Sequence, residues 1–207
     1  MSQEAHWDAV YNARSDRELS WFEHRPDLML ELIAAYCAPD RPVIDIGGGA
    51  SRLVDHLLLD GFGDVTVLDL SGAALEVGRK RLGAEAAKAD WIVGDVTKWR
   101  ATRGYGLWHD RAVFHFLTKE RDRAGYVTAM AAALPVGGHA IIASFAEDGP
   151  EKCSGLEVVR YSPDGLAAEL QNLAPGVFAP VEARHFEHVT PGGARQKFQV
   201  SVFRKEI

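Results

Sequence analysis

The chain has 207 residues, of which 47% are hydrophobic and 25% charged, and this composition is typical of a single globular domain with a sizeable core. Its formal net charge of -6 gives no basic surface for nucleic acid. No apolar run approaches the roughly 18 residues of a membrane span and the first residues are polar, so we expect a cytoplasmic protein without membrane partners.

Residues 1–38 are predicted to form a helical cover that precedes the sheet. Apolar residues recur at helical spacing around Trp7 and Tyr11, and again in a second pattern further along. The polar connector between these two patterns contains Trp21 and Phe22. Two large aromatic side chains in a polar segment indicate a lid or a pocket wall.

Strand-like and helix-like patterns alternate through residues 39–145, which favours crossover units around a parallel sheet with helices on both faces. A Pro-Val-Gly-Gly stop signal at 135–138 ends the last of these helices. The predicted strands are 42–46, 65–70, 91–93, 107–110 and 139–145, and the predicted helices are 51–60, 72–82 and 121–134.

Residues 146–207 break this alternation. A polar loop comes first, and Ser162-Pro163 then supplies a capping residue and a first-turn proline for a helix. Pro191-Gly192-Gly193 is a hairpin signal between two strand-like segments, so an antiparallel pair is predicted to close the sheet. The loop covers 146–154, the helix 162–173 and the two strand-like segments 178–190 and 197–204.

The most informative segment is a buried strand that ends in Gly47-Gly48-Gly49. Glycine lets backbone N–H groups approach a ligand closely, and Asp69 at the end of the next strand is placed to bind ribose hydroxyls. Asp45 in the first strand and Asp95 after the third add two more acids at successive strand ends. This combination predicts a site for a nucleoside-bearing cofactor.

These motifs resemble those of the class I S-adenosylmethionine-dependent methyltransferases. The resemblance rests on segments 43–49, 67–71, 94–96 and 135–138, and it extends from about residue 40 to the C-terminus. It implies an α/β fold, a Rossmann-like three-layer sandwich with a seven-stranded sheet whose last strand is antiparallel, here with an N-terminal helical cover. It also implies S-adenosylmethionine as cofactor and S-adenosylhomocysteine as product.

The resemblance assigns cofactor contacts to individual residues. Asp45 is expected to help hold the methionine amino group, Asp69 to accept from both ribose hydroxyls, and Asp95 to accept from the adenine amine. His109 is expected beside the methionyl end. The full set of expected cofactor-binding residues is Trp7, Tyr11, Asp45, Gly47, Gly48, Gly49, Asp69, Leu70, Asp95, Val96 and His109.

In this family the segment after the fourth strand normally faces the transferable methyl group. Methyl transfer is an in-line displacement, so the protein chiefly aligns the reactants and excludes water, and only a protonated acceptor needs a general base. His115 is the first choice for that base. Arg111 and Arg25 are candidates for binding an acidic substrate group. The other candidate substrate-binding residues are Trp21, Phe22, His24 and Cys153, with His6 as a weaker one.

The two cysteines predict neither a metal site nor a disulfide framework. Cys37 and Cys153 lack metal-ligand spacing, and two cysteines in a chain of this length are too few for a disulfide scaffold. Cys153 follows the fifth strand, where substrate loops occur in the family, and there a free thiol could bind a soft thiol or metalloid acceptor.

Three other functions stay open at the level of sequence. An NAD-dependent oxidoreductase needs a small residue three positions after the second glycine of its fingerprint, where this chain has Arg52. A non-catalytic nucleotide-binding protein would keep the fold without turnover. A protein lysine methyltransferase could carry a similar aromatic N-terminal helix. A small molecule with an O, N or S acceptor is favoured, because the chain is acidic and lacks the Asn/Asp-Pro-Pro-aromatic segment of amide and adenine methyltransferases.

Overall fold

A computed structural model describes residues 2–207, so the predicted cover is described from Ser2 onwards. The strands are β1 (Val43–Ile46), β2 (Val65–Asp69), β3 (Ala89–Val93), β4 (Leu107–Arg111), β5 (His139–Phe145), β6 (Lys152–Cys153), β7 (Leu156–Glu157), β8 (Phe178–Val189) and β9 (Arg195–Lys205). The helices are α1 (Gln3–Ala13), α2 (Asp27–Tyr36), α3 (Leu53–Leu59), α4 (Gly72–Leu82), α5 (Glu120–Ala133) and α6 (Pro163–Leu173).

The main sheet of the described chain has seven strands in the order β3-β2-β1-β4-β5-β9-β8. Strands β1 to β5 are parallel to one another, whereas β9 runs antiparallel to both β5 and β8. The remaining strands, β6 and β7, form a separate two-stranded hairpin. The predicted seven-stranded sheet with its antiparallel last strand is therefore confirmed.

Helices cover both faces of this sheet. On one face, α2, α3 and α4 bury apolar side chains that include Met29, Leu53 and Leu75. On the other face, α5 and α6 bury Tyr126 and Leu166 in a second apolar cluster. Both faces of this sheet need such cover because the side chains of its central strands are buried on both faces, and the result is the predicted three-layer sandwich.

Most predicted elements have the observed bounds to within one or two residues. Helix α6 starts as predicted, with the Ser162 hydroxyl accepting from the Gly165 N–H and Pro163 in the first turn. Strand β9 begins earlier than predicted because the hairpin ladder continues to the pair of Val189 and Arg195. The predicted loop 146–154 also contains β6, which the sequence analysis did not anticipate.

The carboxyl ends of the parallel strands meet at one edge of the sheet, and α1 with the connector to α2 lies over this edge. Asp8 of α1 accepts a hydrogen bond of 2.5 Å from the Ser71 hydroxyl, which in turn caps α4. The backbone carbonyl of Trp21, in the connector, accepts from Arg111 at the end of β4. None of the helices within residues 2–207 is long and apolar enough to cross a membrane.

Candidate functional site

A cavity of about 160 Å³ lies between the strand ends and this N-terminal cover. Its volume is about ten times the roughly 10–15 Å³ that one water molecule needs, so it has room for an organic ligand. Fourteen of the predicted site residues line it: Trp7, Tyr11, Trp21, Phe22, Asp45, Gly47, Gly48, Asp69, Leu70, Asp95, Val96, His109, Arg111 and Cys153.

The glycine turn after β1 forms the floor of the cavity beside two carboxylates. Gly47 and Gly49 have φ values of 67° and 39°, which L side chains rarely adopt. A Cβ on Gly48 would overlap the Asp45 carboxylate, and a Cβ on Gly49 would lie 2.7 Å from Oδ2 of Asp69. Only glycine therefore allows the backbone to pass this close to both acids.

Asp45 and His109 form a buried pair at the centre of the cavity floor. They face each other on the neighbouring strands β1 and β4, and Nδ1 of His109 lies 2.7 Å from Oδ1 of Asp45. Nε2 of His109 and Oδ2 of Asp45 are buried and have no hydrogen-bond partner among the residues described. The unpaired carboxylate oxygen of Asp45 suits a ligand ammonium group.

Asp69 is buried at the end of β2, where its Oδ1 accepts a hydrogen bond of 2.8 Å from the Ser71 N–H. Burial, together with the negative charges of Asp45 and Asp8, raises the pKa of Asp69 to about 7. Hydrogen bonds from hydroxyl groups would stabilise the charged form of Asp69, because they offset the cost of keeping its charge out of water.

Asp95 stands just after β3 at the more exposed end of the cavity. It accepts hydrogen bonds from the backbone N–H and hydroxyl of Thr97, and from the Lys98 ammonium group at 2.8 Å. Partial burial opposes ionisation, but these hydrogen bonds hold the pKa of Asp95 below its ordinary value. Asp95 is therefore a fixed acceptor at the cavity wall.

Aromatic side chains of the cover form the roof. The ring of Trp7 packs edge-on against Trp21 at 5.8 Å and against Phe116 at 5.2 Å, measured between centroids. Tyr11 packs against Trp21 in the same way at 6.0 Å. Each such contact stabilises the fold by about 0.5–1.5 kcal/mol beyond the contribution from burial of the rings. Trp7, Tyr11 and Trp21 of the predicted cover thus form one connected aromatic layer, whereas Phe22 packs edge-on against His24.

The cavity continues from Asp45, Asp69 and Asp95 towards β4, β6 and β9, where Arg111, Cys153 and Phe198 line it. Burial raises the pKa of the Cys153 thiol to about 11, and burial lowers the pKa of the Arg111 guanidinium. Among residues 2–207 no group of three or more His, Cys, Asp or Glu side chains could hold a metal ion.

Three of the predicted site residues do not line the cavity: His115, His24 and Gly49, the last of which lies in the glycine turn beside Asp69. His115 is fully buried elsewhere, between the rings of Phe116 and Phe145, and burial lowers its pKa to about 3. Asp110, at the end of β4, accepts hydrogen bonds from the N–H groups of Val113 and Phe114. These bonds shape the turn that carries His115.

His24 lies in a separate surface groove, together with Arg25. The guanidinium of Arg25 donates to Asp27 at 2.8 Å, and Nε2 of His56 lies 3.0 Å from the His24 backbone carbonyl. The weaker candidate His6 packs edge-on against Trp7. These three residues are consequently not part of the cavity that holds the other candidates.

Sequence reasoning missed a pair of arginines that border the glycine turn. Arg52 lines the cavity and its Nη2 lies 3.4 Å from Oδ2 of Asp16 in the cover. Arg81 donates to the backbone carbonyls of Ala50 and Ser51, at 2.8 and 2.7 Å, and thereby fixes the end of the turn. Arg52 offered a signal, because it directly follows the turn, whereas nothing in the local sequence links Arg81 to it.

Comparison with known families favours methyl transfer over the oxidoreductase alternative. A family model described as "Methyltransferase domain" matches residues 43–138, from β1 to the loop after α5. Residues 43–138 are therefore a methyltransferase domain, in agreement with the resemblance seen in the sequence. The match includes the strands that carry Asp45, Asp69 and His109, and two of the similar solved structures, NodS and the glycopeptide N-methyltransferase MtfA, hold S-adenosylhomocysteine and S-adenosylmethionine.

Solved structures share the fold of this methyltransferase. One, described as "Conversion of a Disulfide Bond into a Thioacetal Group during Echinomycin Biosynthesis", is 22% identical with a TM-score of 0.75 and covers 99% of this chain and 93% of that chain. A SAM-dependent methyltransferase from Anabaena variabilis ATCC 29413 is 16% identical with a TM-score of 0.76, covering 100% and 96%.

The N-methyltransferase NodS from Bradyrhizobium japonicum WM9, in complex with S-adenosylhomocysteine, is 15% identical with a TM-score of 0.74, covering 99% of each chain. At these identities the likeness extends to the fold and leaves the acceptor of this methyltransferase undefined. No curated protein matches the chain in sequence.

Proposed function

We propose that this methyltransferase transfers the methyl group of S-adenosylmethionine to a small organic acceptor bound inside the cavity. The observation that carries the proposal is the continuity of the cavity from the three cofactor acids to Arg111 and Cys153, beneath one aromatic cover. Reactants that lie in one enclosed space can be aligned for displacement and kept from water. A large substrate would have to displace the cover to reach the same point.

The proposed cofactor half lies over β1, β2 and β3. Asp45, beside His109, presents its unpaired carboxylate oxygen to the methionine ammonium group, and Asp69 accepts from the ribose hydroxyls. Asp95 and the Val96 N–H serve the adenine edge, with Leu70 against its face. The set is completed by Trp7 and Tyr11 above and by Gly47, Gly48 and Gly49 below.

When bound, S-adenosylmethionine supplies a methyl group on a positively charged sulfur atom. The chain contributes alignment, exclusion of water and negative charge from buried carboxylates. The base predicted at His115 is not part of the proposal, because His115 lies outside the cavity. The candidate acceptor contacts are instead Trp21, Phe22, Arg111 and Cys153.

The test combines calorimetry with a transfer assay. We expect S-adenosylmethionine and S-adenosylhomocysteine to bind and NAD not to bind, and we expect labelled methyl to appear in a low-molecular-weight product from a panel of phenols, amines, thiols and carboxylic acids. Label found only in protein from an extract would replace the small acceptor by a protein.

A matched pair of glycine variants links binding to the turn. Gly48→Ala places a Cβ onto the Asp45 carboxylate, whereas Gly63→Ala adds a Cβ where nothing lies within 4 Å. We expect Gly48→Ala to lose measurable binding of S-adenosylhomocysteine and Gly63→Ala to retain it. Equal binding by both variants would contradict the assignment of the turn to the cofactor.

A further inference from the structure

Charge is segregated along the cavity of this methyltransferase. The half over β1, β2 and β3 carries the acids Asp45, Asp69 and Asp95, which match a cofactor with a sulfonium and an ammonium group. The half over β4 and β9 carries Arg111, which lies among the apolar residues Phe116 and Phe198 and has Glu23 as its counter-charge. The second half therefore lacks the excess of acids that marks the first.

The guanidinium of Arg111 is buried and only partly satisfied. Nη1 donates to the Trp21 carbonyl at 3.0 Å. Nε and Nη2, which share the side-on edge of the planar group, have no hydrogen-bond partner in the described part of the chain. A buried charged donor that lacks an acceptor costs free energy. A ligand that supplies acceptors at this edge therefore binds more tightly, because it removes that cost.

Glu23 is the nearest counter-charge, and it is already engaged elsewhere. Its Oε1 lies 3.2 Å from Nη2 of Arg111, without hydrogen-bond alignment, and 3.0 Å from Nδ1 of His188. The His188 ring is buried and fixed by a second contact of 2.7 Å from Nε2 to the Ser20 carbonyl. Glu23 is thus shared with His188 on β8, and Nε and Nη2 of Arg111 keep no aligned acceptor.

The geometry points to a carboxylate-bearing acceptor: we infer that Arg111 binds the carboxylate of a small organic acid through Nε–H and Nη2–H. Two parallel donors match the two oxygens of a carboxylate, and guanidinium groups bind such anions bidentately. Apolar walls from Phe116, Phe198 and Leu19 favour an aromatic or aliphatic body for this acid. The inference rests on the proposed function, and it names its substrate class.

The experiment measures binding of matched acids and amides to the protein saturated with S-adenosylhomocysteine. The probes are benzoate, phenylacetate and indole-3-acetate, each compared with its uncharged amide and, for the last two, with phenethylamine and tryptamine. We expect at least one acid to bind about tenfold or more tightly than its amide, and the amines to bind more weakly than the acids.

Variants assign this preference to Arg111. Arg111→Met should abolish the preference for acids and Arg111→Lys should retain only part of it, while both keep the affinity for S-adenosylhomocysteine within about twofold. Arg103→Met is the control, since Arg103 pairs with Asp64 at the other end of the strands and should leave every affinity unchanged.

The inference is overturned by acids that bind no better than their amides, by no measurable binding of any acid, or by a preference that survives Arg111→Met. A large loss of S-adenosylhomocysteine affinity in Arg111→Met would also overturn it, because Arg111 would then hold the cofactor. Failure of S-adenosylhomocysteine to bind the unaltered protein refutes the proposed function instead, so the two failures are distinguishable.

Discussion

Replacing Asp69 by Asn tests the cofactor half most directly, because it keeps the shape of the side chain and removes its charge. The Asn oxygen can still accept from the Ser71 N–H, so the local turn should survive. The two ribose hydroxyls, however, would lose a charged acceptor. Hydrogen bonds to charged groups contribute about 1.5–3 kcal/mol, so we expect S-adenosylhomocysteine to bind about 10- to 100-fold more weakly at pH 8.

The same substitution should stabilise the free protein at high pH. The pKa of Asp69 rises from 3.8 to about 7 on folding, so the folded chain binds this proton more tightly than the unfolded chain does. Stability is therefore lost as the pH rises from about 4 to about 7, and the full cost, up to about 4 kcal/mol, applies above pH 7. We therefore expect Asp69→Asn to be more stable than the parent protein at pH 8 and no more stable near pH 4.

Calorimetry at pH 8 and urea denaturation at pH 5 and pH 8 measure the two effects. Asp90→Asn is the control, because Asp90 is exposed near the start of β3 and its contact of 3.5 Å with Arg103 is a surface ion pair, so both quantities should change little. Unchanged affinity in Asp69→Asn would refute the placement of the ribose. A variant no more stable than the parent at pH 8 would refute the argument from burial.

Three further predictions concern groups outside the cofactor half. The imidazole resonances of His115 should not titrate between pH 5 and pH 9 in an NMR experiment, because burial lowers its pKa to about 3; a midpoint near pH 6.5 would contradict its burial. Tyr126→Phe should lower the free energy of unfolding by about 1–3 kcal/mol in urea denaturation, because the Tyr126 hydroxyl donates to Asp110 and accepts from Trp108 in the core; S-adenosylhomocysteine affinity should change little. Cys153 should react slowly with iodoacetamide at pH 8 until the protein is unfolded, because burial raises its pKa to about 11; rapid labelling, read by mass spectrometry, would show an open cover.

The sheet and its cofactor edge were predictable because they depend on local signals. Apolar strands, a glycine turn and acids at strand ends are all visible in short windows of sequence, and parallel strands bring their carboxyl ends together. Helix α6 was equally clear from Ser162-Pro163. The predicted elements match the observed ones because the packing of the core favours the same local structure as these sequence signals do.

The acceptor half was less predictable because it depends on which way a short turn faces and on distant contacts. His115 lies in a 3-10 turn, and its spacing in sequence does not reveal that its ring points into the core. Glu23 meets Arg111 and His188 from segments far apart in the chain. No window of sequence contains both partners of such a contact.

The connector between α1 and α2 is tied to the sheet at two separate places. Arg111 binds its Trp21 carbonyl from β4, and His188 binds its Ser20 carbonyl from β8. The aromatic residues of this same segment roof the cavity, so these two hydrogen bonds hold the roof against the sheet from different strands. Loosening the bond from His188 should therefore change how readily ligands enter and leave, without altering a residue that lines the cavity.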